Sequence, residues 1–171
     1  KYYPRLMKLR TSSEDNLRSL DIQANEKRAK LAKVLTREEY FKKLGIKLTY
    51  NINNEEYIPR VAELLGKTNQ FILTYKRYKE TVVQSFMRDD DKCLITIRME
   101  DNLSDSGVIA ILAAHREGDH LELDELTVSC RALGRNLENI MLPYLFKVAK
   151  DKLQTKGEIS IPYKKGERSV P

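Results

Sequence analysis

The sequence predicts an α/β (α+β) chain with a central mixed, mostly antiparallel sheet flanked by helices and preceded by a helical linker. Three observations lead there. Residues 1–43 are rich in helix formers and poor in apolar positions. Three apolar, strand-like runs at 93–99, 107–114 and 120–129 follow one another through short polar turns. A long amphipathic stretch at 134–152 then leads to one more strand-like run at 157–163. Strands joined by short turns pair antiparallel, whereas a strand reached through a helix can pair in parallel.

In chain order, Ser12-Ser13-Glu14-Asp15 places a capping residue and early acids ahead of Leu17 and Leu20, a helix start. Residues 24–34 are mostly strong helix formers rich in Lys, with few large apolar side chains, so this segment connects two domains or lies across one. Thr36-Arg37-Glu38-Glu39 opens a short helix that stops at Leu44-Gly45. Ile46, Leu48 and Tyr50 alternate as in a strand, and 51–54 is a turn. Residues 55–66 are helical, with Ile58, Val61, Leu64 and Leu65 on one face, and Thr74 is placed to cap a second helix over 75–87. The turns at 89–91, 101–106 and 117–119 separate the three strands. The long helix carries Leu137, Ile140, Met141, Tyr144, Leu145 and Val148.

Composition narrows the function. Of 171 residues, 41% are hydrophobic and 33% charged, as in ordinary globular proteins. No run approaches the ~18 apolar residues of a membrane span, and no charged-then-apolar leader is present. The lack of an initiator Met and the end at Ser169-Val170-Pro171 suggest a piece of a longer protein. Two cysteines, Cys93 and Cys130, make no disulfide framework and suit a cytoplasmic location. The net charge of +6 invites a nucleic-acid reading. Residues 1–43, however, hold 12 Lys/Arg against 6 Asp/Glu, and residues 44–171 hold 19 of each. The excess belongs to the leading helical segment, so no nucleic acid is expected as partner.

The junction between the 120–129 strand and the long helix is the strongest candidate site. A strand, a turn containing Gly134 and a helix start leave several backbone N–H groups aimed at one point, and the helix dipole, Arg131 and Arg135 add positive charge. Such a place suits a pyrophosphate, as in coenzyme A or a phosphopantetheine arm. Cys130 beside these cations is a candidate thioester-forming nucleophile, and Cys93 is a packing residue. Lys67-Thr68-Asn69-Gln70 is dense in donors and acceptors and can line an acceptor site or cap locally. His115 and His120 have no partner at metal-ligand or triad spacing, so no metal is expected. Glu122 and Asp124 share one strand face and Glu125 takes the other; one of them can serve as a general base, although a solvated face is the simpler reading.

These motifs resemble those of known families. Arg131-Ala132-Leu133-Gly134-Arg135-Asn136 is similar to the Gln/Arg-x-x-Gly-x-Gly/Ala cofactor-binding pattern of GNAT acyltransferases, with Asn136 in place of the small third residue. The element order is similar to the GNAT fold as well, with its C-terminal end truncated. Three stretches in order resemble the GNAT-like C-terminal domain of FkbH-type proteins (HAD superfamily, subfamily IIIC). They are Lys67-Thr68-Asn69-Gln70-Phe71-Ile72-Leu73-Thr74 followed by Arg77, then Asp105-Ser106-Gly107, and then Ser129-Cys130-Arg131-Ala132-Leu133-Gly134-Arg135 ending in Glu138. Ile72 stands where the family has Asn.

The resemblance implies residues 1–43 as a linker from an upstream phosphatase-like domain and residues 44–171 as the acyltransferase-like domain. It implies a phosphopantetheine arm, of coenzyme A or an acyl carrier protein, bound by Val128, Arg131, Leu133, Gly134, Arg135 and Asn136, with the Val128 backbone N–H polarising the acyl carbonyl. The substrate side falls to Lys67, Thr68, Asn69, Gln70, Thr74 and Arg77, and glyceryl-type transfer to a carrier protein is the implied reaction. The phosphatase-like Asp-x-Asp-x-Thr/Val motif is absent from this chain. A plain acetyl-CoA-dependent N-acetyltransferase and a non-catalytic carrier-protein docking domain are the alternatives.

Overall fold

The outer edge of one central strand organises the sheet. The computed structural model of the protein describes residues 13–66, 71–74, 76–129, 131, 132 and 137–162. Two units divide the chain: Lys1–Lys47 with Met99–Gly107, and Leu48–Arg98 with Val108–Pro171.

The first unit contains helices α1 (Ser13–Val34) and α2 (Arg37–Leu44). Thr36 and Glu39 close a capping box on α2, and Gly45 ends it in the left-handed conformation, φ 57°. Both features follow from the sequence. α1 is held in another way. Asp21 and Arg28, seven residues and about two helical turns apart, lie on one buried face. The Arg28 guanidinium donates to Asp21 Oδ1 at 2.9 Å, to Asp101 at 2.8 and 2.9 Å and to Ser104 Oγ at 2.6 Å. Ser104 and Ser106 hydroxyls donate to Asp21 Oδ1 at 2.7 and 2.8 Å. A helix short of apolar residues thus packs through a satisfied ionic network. Burial pushes the Asp101 carboxyl up, but hydrogen bonds from Arg28 and from the Leu103 and Ser104 N–H groups outweigh it and hold the carboxyl below its ordinary range.

The second unit carries most of the sheet. The remaining elements of the chain are β1 (Lys47–Ile52), a 3₁₀ turn (Glu55–Tyr57), α3 (Ile58–Gly66), β2 (Phe71–Ile72), α4 (Glu80–Met87), β3 (Lys92–Glu100), β4 (Asp105–Glu117), β5 (His120–Val128), α5 (Glu138–Leu153) and β6 (Ile159–Ser160). The strand order is β1-β3-β4-β5-β2, with β6 also on β5. β4 and β5 pair antiparallel, as the short turn requires, and β6 pairs parallel to β5 after the α5 crossover. Ile58, Val61, Leu64 and Leu65 of α3 join Val83, Phe86 and Met87 of α4 over Leu94, Val108, Ile111 and Ala113 of the sheet. Asn53, at φ 46°, ties the end of β1 to its neighbours: its Oδ1 accepts from Leu94 N–H at 2.8 Å and its Nδ2 donates to Met87 O at 3.0 Å.

Three sequence expectations change. The second helix begins at Glu80 rather than at residue 75, with Lys79 as an N-cap that makes no side-chain bond. The long helix begins at Glu138 instead of Gly134. Its buried face is Met141, Leu145, Ala149 and Leu153, a strict four-residue repeat, whereas Ile140 and Tyr144 are 57% and 51% exposed. Tyr144 packs edge-on against Tyr50 of β1, with ring centroids 4.8 Å apart. The two-residue strand β2 is an addition, being too short for periodicity to reveal.

Gly157 N–H donates to Asp119 O at 2.8 Å, and a Cβ at Gly157 would lie 2.8 Å from that same oxygen. Gly157→Ala is therefore expected to cost ~1–3 kcal/mol in chemical denaturation. Arg28→Ala strands two buried carboxylates and is expected to cost ~3–5 kcal/mol. Because the Asp101 pKa is lowered on folding, its contribution is present above the unfolded-state value and fades as pH falls through the folded one. Acid titration of stability should show Arg28→Ala losing this dependence.

Candidate functional site at the outer edge of β5

β5 has two edges, and they are used differently. One edge pairs with β4 from Glu117↔His120 to Ala110↔Val128. The other is shared by two short strands: β6 at Leu121 and Glu122, and β2 at Thr127 and Val128. No strand pairs with residues 123–125 on this edge among the described residues. Opposite that stretch, the β4–β5 register shifts between Ala113↔Glu125 and Ala114↔Leu123, so Asp124 is the extra residue of a β-bulge. Bulges re-aim side chains, and here the bulge sends the adjacent acids 124 and 125 to separate partners.

Glu125 is fully buried, contrary to the expected solvated face. Its Oε1 accepts from the N–H groups of Leu73 at 2.7 Å, Thr74 at 3.1 Å and Leu126 at 3.0 Å. Its Oε2 accepts from the Thr74 hydroxyl at 2.7 Å. A buried carboxylate surrounded by donors in this way is satisfied and has no role left as a base. Thr74 is consequently a ligand of Glu125 and not the cap of a following helix. The Leu73 N–H also donates to Leu126 O at 3.3 Å, which extends β2 along β5. Tyr78 packs T-shaped on Phe86 at 6.4 Å; burial, and then the charges of Asp124 and Glu125, push its hydroxyl pKa up.

Asp124 turns the other way. Its Oδ2 lies 2.8 Å from His115 Nδ1, and its Oδ1 lies 3.6 Å from Lys76 Nζ. The expectation that His115 and His120 are partnerless is therefore corrected. His115 meets Asp124 because the hairpin and its bulge fold residues nine apart onto each other, and His120 Nδ1 accepts from Glu158 N–H at 3.0 Å.

The turn after β5 is described in part. Ser129 N–H continues the β4 ladder to Ile109 O at 2.7 Å, Ser129 Oγ accepts from Arg131 N–H at 3.1 Å, and Ser129 O accepts from Ala132 N–H at 3.0 Å. Arg131 is half-buried in this turn. The described start of α5, at Leu137 and Glu138, has no side-chain cap. Val128 is buried and pairs with Phe71, so an acyl carbonyl reaching for its backbone would meet β2 first. Arg77 donates to Gly66 O at 3.0 Å, at the end of α3. Lys67, Thr68, Asn69, Gln70, Cys130, Leu133, Gly134, Arg135 and Asn136 lie outside the described residues. Cys93 is buried, as expected of a packing residue, and burial pushes its thiol up to about 12.

No known family model matches the chain, and no curated protein sequence does. Solved structures do. A ribosomal-protein-alanine N-acetyltransferase from Brucella melitensis biovar Abortus 2308 superposes with a TM-score of 0.51 at 12% identity, over 71% of this chain and 83% of the other. The chain has the GNAT acetyltransferase fold. A GNAT-family acetyltransferase from Streptococcus pneumoniae follows with a TM-score of 0.49 at 9% identity, over 66% and 74%. The ribosomal-protein-S18-alanine N-acetyltransferase from Escherichia coli gives 0.45 at 12% identity, over 62% of this chain and 61% of that one. At these identities the likeness concerns fold, and the first superposition alone carries it.

Glu125 generates a direct test. Glu125→Ala removes the shared acceptor of the Leu73, Thr74 and Leu126 N–H groups and loosens residues 73–74 from β5, an expected loss of ~3 kcal/mol in urea unfolding. Glu125→Gln keeps one acceptor oxygen and should lose less, about 1–2 kcal/mol.

Proposed function

We propose that the chain is an acyltransferase that draws its acyl group from a phosphopantetheine thioester, with coenzyme A as the simplest donor. The observation that carries this reading is the turn closing β5 within a GNAT fold: Ser129 orders it, and Arg131 supplies a cation at the strand-to-helix junction. An anionic pyrophosphate is matched there by a guanidinium and by uncapped N–H groups. The reaction is transfer to an amine. The acceptor nitrogen attacks the thioester carbonyl carbon, the C–S bond breaks, and the thiol leaves with the proton that the amine gives up.

The three motifs that resemble FkbH-type proteins support a narrower version, glyceryl-type transfer to an acyl carrier protein in company with an upstream phosphatase-like domain. A specific observation favours a docking role within that version. β2 covers the backbone edge at Val128, so a thioester carbonyl gains that N–H only by displacing Phe71. In the acyltransferase reading, residues 67–70 and Thr74 border the acceptor, and Glu125 is a positioning residue that holds Leu73 and Thr74.

Calorimetric titration of the protein with acetyl-CoA, and separately with a phosphopantetheinylated carrier protein, distinguishes these versions. Micromolar binding of acetyl-CoA is expected, weakened about tenfold by Arg131→Ala, the equivalent of ~1.4 kcal/mol. Binding of the carrier protein without acetyl-CoA favours docking, and failure of both removes the phosphopantetheine reading. Intact-mass analysis after incubation with an acyl thioester tests Cys130: a covalent intermediate requires an adduct that disappears in Cys130→Ser.

A further inference from the structure

A second constellation lies where β4 and β5 leave their shared turn, and the acyl-transfer reading does not use it. His115 and Glu117 are on β4, and Glu122 faces His115 in the β4–β5 register. One donor atom from each of these three side chains falls within 4.8 Å of the others. Within the group, His115 Nε2 and Glu117 Oε2 are 3.9 Å apart. We propose that His115, Glu117 and Glu122 bind a divalent transition-metal ion, zinc being the best match, with Asp124 as the residue that orients the histidine.

Four features support it. The first is tautomer control. Asp124 Oδ2 sits 2.8 Å from His115 Nδ1, and a carboxylate accepts there only from a protonated Nδ1. A neutral ring then presents an unprotonated Nε2 to the two glutamates. A carboxylate behind a histidine is the usual outer partner of a metal-ligating imidazole, fixing its ring and raising its basicity.

The second feature is ligand type. One imidazole and two carboxylates suit zinc and its neighbours in the first transition row, and three protein ligands leave one tetrahedral position for water or substrate.

The third is charge. Glu117, Glu122 and Asp124 bring three carboxylates to one histidine, and Lys76, 3.6 Å from Asp124, is the cation in ion-pair range among the described residues. A divalent ion neutralises the remainder. The Glu122 side chain has no hydrogen-bond partner among the described residues, in contrast to Glu125, whose oxygens are both occupied.

The fourth is reach. Zinc bonds of 2.0–2.2 Å place tetrahedral ligand atoms about 3.3 Å apart, so the donors must draw in by roughly 0.5–1.5 Å. Glu117 is 73% exposed at its side chain and free to swing, whereas His115, at 28%, is held by Asp124.

The test is calorimetric titration of the metal-free full chain with zinc in a non-chelating buffer, with cobalt absorption as the geometric readout. One-to-one binding is expected, with visible cobalt bands typical of low coordination number. His115→Ala should abolish it, and Glu122→Gln should weaken it by at least tenfold. Asp124→Asn, which does not remove a ligand, should weaken it about 10–100-fold. Glu117→Gln alters an exposed side chain and should weaken binding while leaving thermal stability of the metal-free protein unchanged, which separates ligand loss from misfolding. His120→Ala should bind as the parent does. No zinc or cobalt binding by the parent overturns the proposal, as does parent-like affinity in His115→Ala or loss of binding in His120→Ala.

Discussion

A single buried carboxylate decides how the outer edge of β5 is built. Glu125 can lie in the interior only because Leu73, Thr74 and Leu126 surround it with N–H groups and Thr74 adds a hydroxyl. In a low-dielectric setting such donors are strong, and their absence would be costly for the same reason. The carboxylate in turn anchors residues 71–74, giving β2 a place on a strand that β4 already pairs on its other side. Two residues of ladder would not hold β2 by themselves. The position of residues 71–74 therefore depends on one side chain of β5.

The bulge that makes room for Glu125 also releases Asp124 toward His115. Without the extra residue, strict alternation would govern which acids share a face. With it, neighbouring carboxylates reach unrelated partners: one fastens Leu73 and Thr74, and the other steadies an imidazole near the hairpin turn. The outer edge of β5 carries three things in sequence, namely β6, a stretch that no strand pairs among the described residues, and β2. On that edge β2 covers the backbone at Val128, through the pairing Phe71↔Val128.

The first unit relies on the same kind of satisfied buried charge in a different form. α1 has few apolar side chains, and its buried residues, among the described side chains, are Asp21, Ala24 and Arg28. Arg28 satisfies two carboxylates and a hydroxyl at once, which its planar fork allows and a lysine could not. The serines at 104 and 106 complete the shell. The Asp105-Ser106-Gly107 stretch, one of the three that carry the family resemblance, thus has a structural role. Ser106 fixes Asp21, and Asp105 Oδ1 accepts from Gly107 N–H at 2.8 Å.

Local and periodic features were legible from the sequence alone. Thr36, Glu39 and Gly45 bounded α2, the apolar face of α3 was correct residue by residue, and the three-strand succession with a parallel strand after a helix followed from turn length and helix length. These depend on neighbours within a few positions, where propensity and hydrogen-bond geometry suffice. Partnerships across long separations were not legible. Thr74 looks like a helix cap until Glu125, 51 residues away, claims its hydroxyl. Glu125 looks solvated until β2 is laid beside it, and His115 looks alone until a one-residue bulge turns Asp124 to it. The same limit applies to α5, where Ala149 is buried and Ile140 is not, because the sheet selects the face. Sequence determined the main helices and strands and their order, though not the short strand β2. Only tertiary structure decided which polar groups are consumed inside the fold, because burial and pairing arise between segments that the chain order keeps apart.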